Sequence, residues 1–111
     1  REYLGVEVPN DREGCLQDSH WSGGSFGYFP SYALGNAYGA QMLHNMEQEF
    51  DVFGQVARGS LSGVTGWLRE HVHQYGQLLE PAAIVKNACG EFDPHYYLDY
   101  LTRKYTELYN L

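Results

Sequence analysis

The chain has 111 residues, enough for one small domain, and its 14 acidic against 7 basic side chains give a formal charge of -7. That balance excludes nucleic-acid binding, which needs clustered Lys and Arg against phosphates, and argues against adsorption to an anionic membrane. No apolar run reaches the length of a membrane span, no signal peptide is evident, and the start at Arg1 without a Met reads as a cut or processed fragment.

Residues 1–29 read as an irregular but ordered segment. Pro9, Asn10 and Asp11 are turn chemistry, and Gly14, Gly23, Gly24 and Gly27 punctuate a stretch rich in His, Trp and Phe, too aromatic for a flexible linker. A long helix is expected over 30–50, with Pro30 in its first turn, where a missing N–H costs nothing. Tyr32, Gly35, Gly39, Met42, Met46 and Phe50 recur at three- and four-residue steps and share one face. Gly35 and Gly39 disfavour the helix by roughly 1 kcal/mol each, so their place on that stripe implies close approach of another backbone.

Further along, Asp51 to Gly59 reads as a short helical turn and a stop. A helix over 60–75 carries the stripe Trp67, Leu68, His71, Val72 and Tyr75, with Gly76 placed to end it. Pro81 opens a short helix that Gly90 closes. Asp93 is an N-cap candidate followed by Pro94, and the last helix carries Tyr97, Leu98, Leu101, Tyr105 and Leu108 on one side. There are no repeats and no long strand alternation. The expected fold class is all-α.

Candidate chemistry concentrates in Gly14-Cys15-Leu16-Gln17-Asp18-Ser19-His20-Trp21 and the following run to Tyr32. Here an amide, a carboxylate, an imidazole, an indole and two phenols (Tyr28 and Tyr32) lie beside a helix N-terminus, where free N–H groups attract negative charge. The segment suits a carboxylate or a developing oxyanion; the alternative is a structural loop in which Asp18 and His20 satisfy backbone groups. No metal-ligand motif is present. His-Glu-x-x-His is absent, His71 and His73 stand on different helix faces, and His44 and His95 are isolated. Cys15 and Cys89 form no Cys-x-x-Cys pair and read as free thiols of a reducing compartment, with a disulfide between them as the alternative; the expected localisation is cytoplasmic. No residue set in the chain completes a catalytic constellation.

Gly14-x-x-Gln17-Asp18-x-His20-Trp21 resembles a signature of the carboxypeptidase Taq family, also called thermostable carboxypeptidase 1. The flanking Tyr3-Leu4-Gly5-Val6, Phe26 to Tyr32 with Leu34-Gly35-Asn36, Trp67-Leu68 with His73 and Gly76, and Tyr100-Leu101-x-x-Lys104-Tyr105 are similar to the family in order, so the resemblance covers nearly the whole chain. It implies a C-terminal helical portion of a neurolysin-like zinc peptidase fold. On this reading 1–111 is the last part of one catalytic domain, with an active-site loop over 1–29 and a helical segment over 30–111.

The resemblance also implies a zinc-dependent carboxypeptidase (cobalt being an alternative metal) with broad specificity for peptide substrates. The zinc ligands would lie upstream, so this piece is expected to hold no metal and to be inactive alone. Neurolysin-like relatives carry a His, a Gly-Gly pair and a Tyr twelve residues after the His, a spacing kept here by His20, Gly23, Gly24 and Tyr32. The analogy assigns His20 and Tyr32 as oxyanion donors, with Tyr28 as the alternative phenol. Gln17, Asp18 and Trp21 would line the substrate pocket, and Asp18 would hold one tautomer of His20. A homodimer or other self-association is expected. The competing reading is a non-catalytic helical interaction module derived from the enzyme.

Overall fold

The computed structural model describes residues 2–111, and among these every regular element is helical. Two compact units are distinguishable, one ending at Ala33 and the other running from Leu34 to Leu111.

In the first unit, two single 3-10 turns, Asp11–Glu13 and Cys15–Gln17, precede the first long helix. Asn10 caps the earlier turn by accepting from the Glu13 N–H at 3.1 Å, as expected of a short polar side chain before a helical turn.

Helix α1 spans Pro30–Glu49, within one residue of the span predicted from Pro30 and the spacing of apolar side chains. Helix α2 (Val52–Ala57) is capped by Asp51, whose carboxylate accepts from the Gly54 N–H at 2.8 Å. Helix α3 (Ser62–His71) runs into a 3-10 turn, His73–Tyr75, and stops at Gly76, whose φ of +50° is a left-handed conformation that glycine adopts cheaply. Helix α4 (Pro81–Cys89) ends at Gly90, with φ +81°. Helix α5 spans His95–Tyr109. The N-cap is Pro94 and not Asp93 as expected; Asp93 stands one residue earlier and its carboxylate accepts from the His95 N–H at 2.9 Å.

The core of the second unit is built on Met46, Val52 and Trp67, with Met42, Leu43, Phe50, Val64, Leu68, Val72, Ala88 and Cys89 packed against them. Met42, Met46 and Phe50 of the stripe predicted on α1, and Trp67, Leu68 and Val72 of that on α3, therefore lie in the core, whereas Tyr32 is exposed. Trp67 is only 5% exposed, and its indole N–H donates to the Glu49 carboxylate at 2.8 Å. His71 stacks on the Trp67 ring at 4.3 Å.

One buried polar residue escaped the sequence reading. Gln41, in the middle of α1, is completely buried. Its Nε2 donates to the carbonyls of Cys89 at 3.1 Å and Glu91 at 2.9 Å, and its Oε1 accepts from the Asp93 N–H at 3.0 Å. Both donors and the acceptor of one carboxamide thus satisfy the backbone between α4 and α5, which removes the penalty of burying them unpaired.

Two expectations are altered. No atom outside the helix's own backbone lies within 4 Å of a methyl group placed on Gly35 or Gly39. The two glycines line an open groove with Tyr97, Tyr100, Leu101 and Tyr105 of α5 instead of receiving a second backbone. The stripe on α5 exists but is not covered: no residue of that helix is buried, and Leu98 and Leu108 are largely exposed. No helix among the described residues is long and apolar enough to cross a membrane.

Candidate functional site

The site is built on the loop that precedes α1, and tight turns shape that loop. Gly14 joins the two 3-10 turns where a Cβ would come within 2.5 Å of the Val8 side chain. The Gln17 carboxamide folds back and donates to the Arg12 carbonyl at 2.7 Å. Asp18 then takes an extended conformation, φ −96° and ψ 131°.

Beyond it the backbone curls on itself. The Gly23 N–H donates to Ser19 O at 3.0 Å, Gly24 to Trp21 O at 3.0 Å, and Ser25 to His20 O at 2.7 Å. Gly24 requires φ +82°, and at Gly23 a Cβ would meet the Ser19 carbonyl at 3.1 Å. The glycine pair is therefore what allows this turn.

The curl returns the chain so that His20 meets the start of α1. The imidazole lies 4.5 Å from the Phe29 ring, edge to face, 5.5 Å from Tyr28, stacked, and 6.1 Å from Tyr32, edge to face. Tyr28 and Tyr32 meet edge to face at 5.3 Å. Aromatic pairs favour these offsets, since ring edges are positive and faces negative.

Asp18 completes the group. Its Oδ1 is 2.9 Å from Nδ1 of His20, and its Oδ2 accepts from the Trp21 N–H at 3.3 Å. The hydrogen bond from His20 holds the Asp18 carboxyl below its ordinary value; burial, the next largest effect, opposes it, and the Trp21 N–H adds to the lowering. Tyr32 is pushed in the other direction. Hydrogen bonding with the Tyr28 hydroxyl, then burial, raises it above the usual 10.0, so it stays a neutral O–H donor at physiological pH.

The structure thus brings together His20, Tyr28, Tyr32 and Asp18. Gln17 is engaged with the backbone of Arg12, and the exposed Trp21 joins the group through its N–H. The sequence reading assigned no role to Phe29, which lies nearer the imidazole than either phenol; its place immediately before a helix-opening Pro was the available signal. The helix N-terminus contributes less than expected. Pro30 has no N–H, and those of Ser31 and Tyr32 already donate to Tyr28 O at 3.1 Å and Phe29 O at 3.0 Å.

The sequence profile of the family described as carboxypeptidase Taq (M32) metallopeptidase matches residues 1–105. The chain belongs to that family. It is 45% identical over its whole length to carboxypeptidase 1 of Bacillus subtilis, of which it covers 23%. It is 39% identical to thermostable carboxypeptidase 1 of Thermus thermophilus, with 98% of this chain and 22% of that protein aligned. An M32 carboxypeptidase structure from Deinococcus radiodurans superposes with a TM-score of 0.89 at 35% identity, covering 99% of this chain and 23% of the other. The chain therefore spans less than a quarter of the length of these M32 relatives.

Membership of this carboxypeptidase Taq family implies a metal. Among the described residues no three His, Cys, Asp or Glu side chains come together as a ligand set, so these residues do not fit a metal centre.

Proposed function

We propose that this chain contributes the transition-state donors of a metallocarboxypeptidase that hydrolyses the last peptide bond of peptide substrates with broad specificity. The observation that carries the reading is the convergence of His20, Tyr28 and Tyr32 around one loop, with Asp18 bound to the imidazole. Family membership supplies the reaction class.

In hydrolysis of a peptide bond, the carbonyl oxygen becomes an oxyanion as the carbon turns tetrahedral. Fixed donors aimed at that oxygen stabilise the transition state more than the substrate and so raise kcat. Tyr32 offers a neutral O–H group, and the Tyr28 phenol stands beside it, ring centroids 5.3 Å apart, as a second O–H donor. His20 offers its Nε2, because Nδ1 is occupied by Asp18. Trp21, exposed beside the loop, provides an apolar surface for a substrate side chain, and Gln17 supports the turn that presents it. The metal, zinc in this reading with cobalt as a substitute, would be held by residues elsewhere in the enzyme. The chain alone is accordingly inactive.

The test is turnover of a blocked dipeptide by the enclosing full-length enzyme. His20→Ala and Tyr32→Phe are each expected to lower kcat by about 10²- to 10³-fold with folding intact. Tyr28→Phe separates the two phenols. Full activity in all three variants would reduce the loop to pocket architecture.

A further inference from the structure

Both oxygens of Asp18 are engaged within the loop, Oδ1 at His20 Nδ1 and Oδ2 at the Trp21 N–H. An ionised carboxylate only accepts hydrogen bonds, so the proton in the first contact must sit on Nδ1. In the neutral imidazole Nε2 is then a bare lone pair, and it becomes a donor only when the ring is an imidazolium.

We infer that Asp18 is a positioning residue that fixes His20 as the Nδ1–H tautomer, so that donation from Nε2 to a substrate oxyanion is the act of the imidazolium. This rests on the reading of His20 as a donor.

The consequence is a division between two kinds of donor. The titratable groups facing His20 are the Asp18 carboxylate and the phenols of Tyr28 and Tyr32. Tyr32, raised above its ordinary 10.0, keeps its proton to donate into the alkaline range. With Asp18 on the other nitrogen, a neutral His20 has no hydrogen to donate from Nε2. Transition-state stabilisation therefore falls in an alkaline limb that belongs to His20.

Asparagine makes a sharp probe because it has one oxygen where aspartate has two. The Trp21 N–H needs that oxygen, which turns the amide NH2 toward Nδ1. Nδ1 must then accept, and the ring proton moves to Nε2. Asp18→Asn thus reverses the tautomer with almost no change of shape.

The experiment is nitrogen NMR on the full-length, metal-loaded enzyme labelled at histidine, with the His20 signals assigned by their loss in His20→Ala, together with pH profiles of kcat and KM. The neutral His20 of the wild type is expected as Nδ1–H, and that of Asp18→Asn as Nε2–H. At neutral pH Asp18→Asn is expected to lower kcat on the order of 10- to 100-fold, the usual cost of losing the outer partner of a functional imidazole, with KM little changed. Its alkaline limb should flatten, because the reversed tautomer still donates weakly when neutral. An Nε2–H tautomer in the wild type, or an unaltered tautomer and alkaline limb in Asp18→Asn, would overturn the inference. If His20→Ala proves fully active, the donor reading of His20 fails by itself, and the wild-type tautomer, which needs no turnover, decides the role of Asp18.

Discussion

The Oε1 of Gln41 accepts the N–H of Asp93 at 3.0 Å, joining residues 52 positions apart through one buried carboxamide. The same side chain donates to Cys89 O and Glu91 O, so the backbone linking α4 to α5 is held to α1 by three hydrogen bonds. Gln41→Leu removes all three and leaves partly buried backbone groups unpaired. Destabilisation by about 2 kcal/mol or more is expected in chemical denaturation, since each such group costs about 1–3 kcal/mol. Gln41→Glu keeps the acceptor for Asp93; in its protonated form it also regains one O–H donor for a backbone carbonyl, and in that form it should fall between wild type and leucine.

Trp67 contributes by packing and by one polar contact, and two substitutions separate them. Trp67→Phe loses the 2.8 Å bond to Glu49 and should cost about 1 kcal/mol beyond the packing change. Trp67→Ala opens a cavity beside Met46 and Val52 and should cost about 3–5 kcal/mol. Equal losses in a denaturant titration would mean that the hydrogen bond, not the ring, supplies the stability.

Acid should loosen two places together. Asp18 and Asp93 both titrate below the ordinary 3.8, Asp18 mainly through the His20 hydrogen bond and Asp93 mainly through the His95 N–H. A carboxyl depressed in the folded state contributes stability above its unfolded value, and that contribution is lost as pH falls through the depressed value. The stability curve should therefore bend downward below about pH 3.8. Asp93→Asn keeps an acceptor for the His95 N–H but removes that carboxyl's proton linkage, so its curve should be flatter in this window.

The two thiols should react very differently. Cys15 is exposed, whereas burial pushes the Cys89 thiol up to about 11. Only the thiolate is nucleophilic. At pH 8, alkylation followed by mass spectrometry should modify Cys15 quickly and Cys89 only after denaturation; equal rates would indicate that the packing around Cys89 opens readily.

Produced by itself, the 111-residue chain should self-associate. Helix α5 buries no residue, and Leu98, Leu108 and Phe53 remain largely exposed, a pattern that favours association. Light scattering coupled to size-exclusion chromatography would show this as a mass rising with concentration. A sharp monomer peak at high concentration would contradict it.

Most helix boundaries were legible because local chemistry sets them. Pro30 and Pro81 open helices, Gly76 and Gly90 end segments at positive φ, and Asp51 caps from just outside. The role of Gln41 was not legible. A polar residue inside an apolar stripe looks like an interruption, and its partners lie 48 to 52 residues away, beyond any local pattern. The apolar side of α5 was read correctly as a stripe, but a stripe cannot tell whether something covers it.

In the loop, the motif identified the chemical groups, whereas their contacts depended on the curl around Gly23 and Gly24. The Asp18–His20 pair shows the difference: two residues apart need not touch, and here the extended Asp18 followed by the turn brings them to 2.9 Å.

Tyr28 and Tyr32 stand on either side of the first residue of α1, and this makes the count of residues between them a mechanical constraint. A helix advances by 3.6 residues per turn, so each residue rotates the next side chain by about 100°. One residue added between Pro30 and Tyr32 would swing the second phenol away from the first without altering any group in the site. The loop can exchange side chains more easily than it can change length: here the reading frame of the helix acts as the ruler.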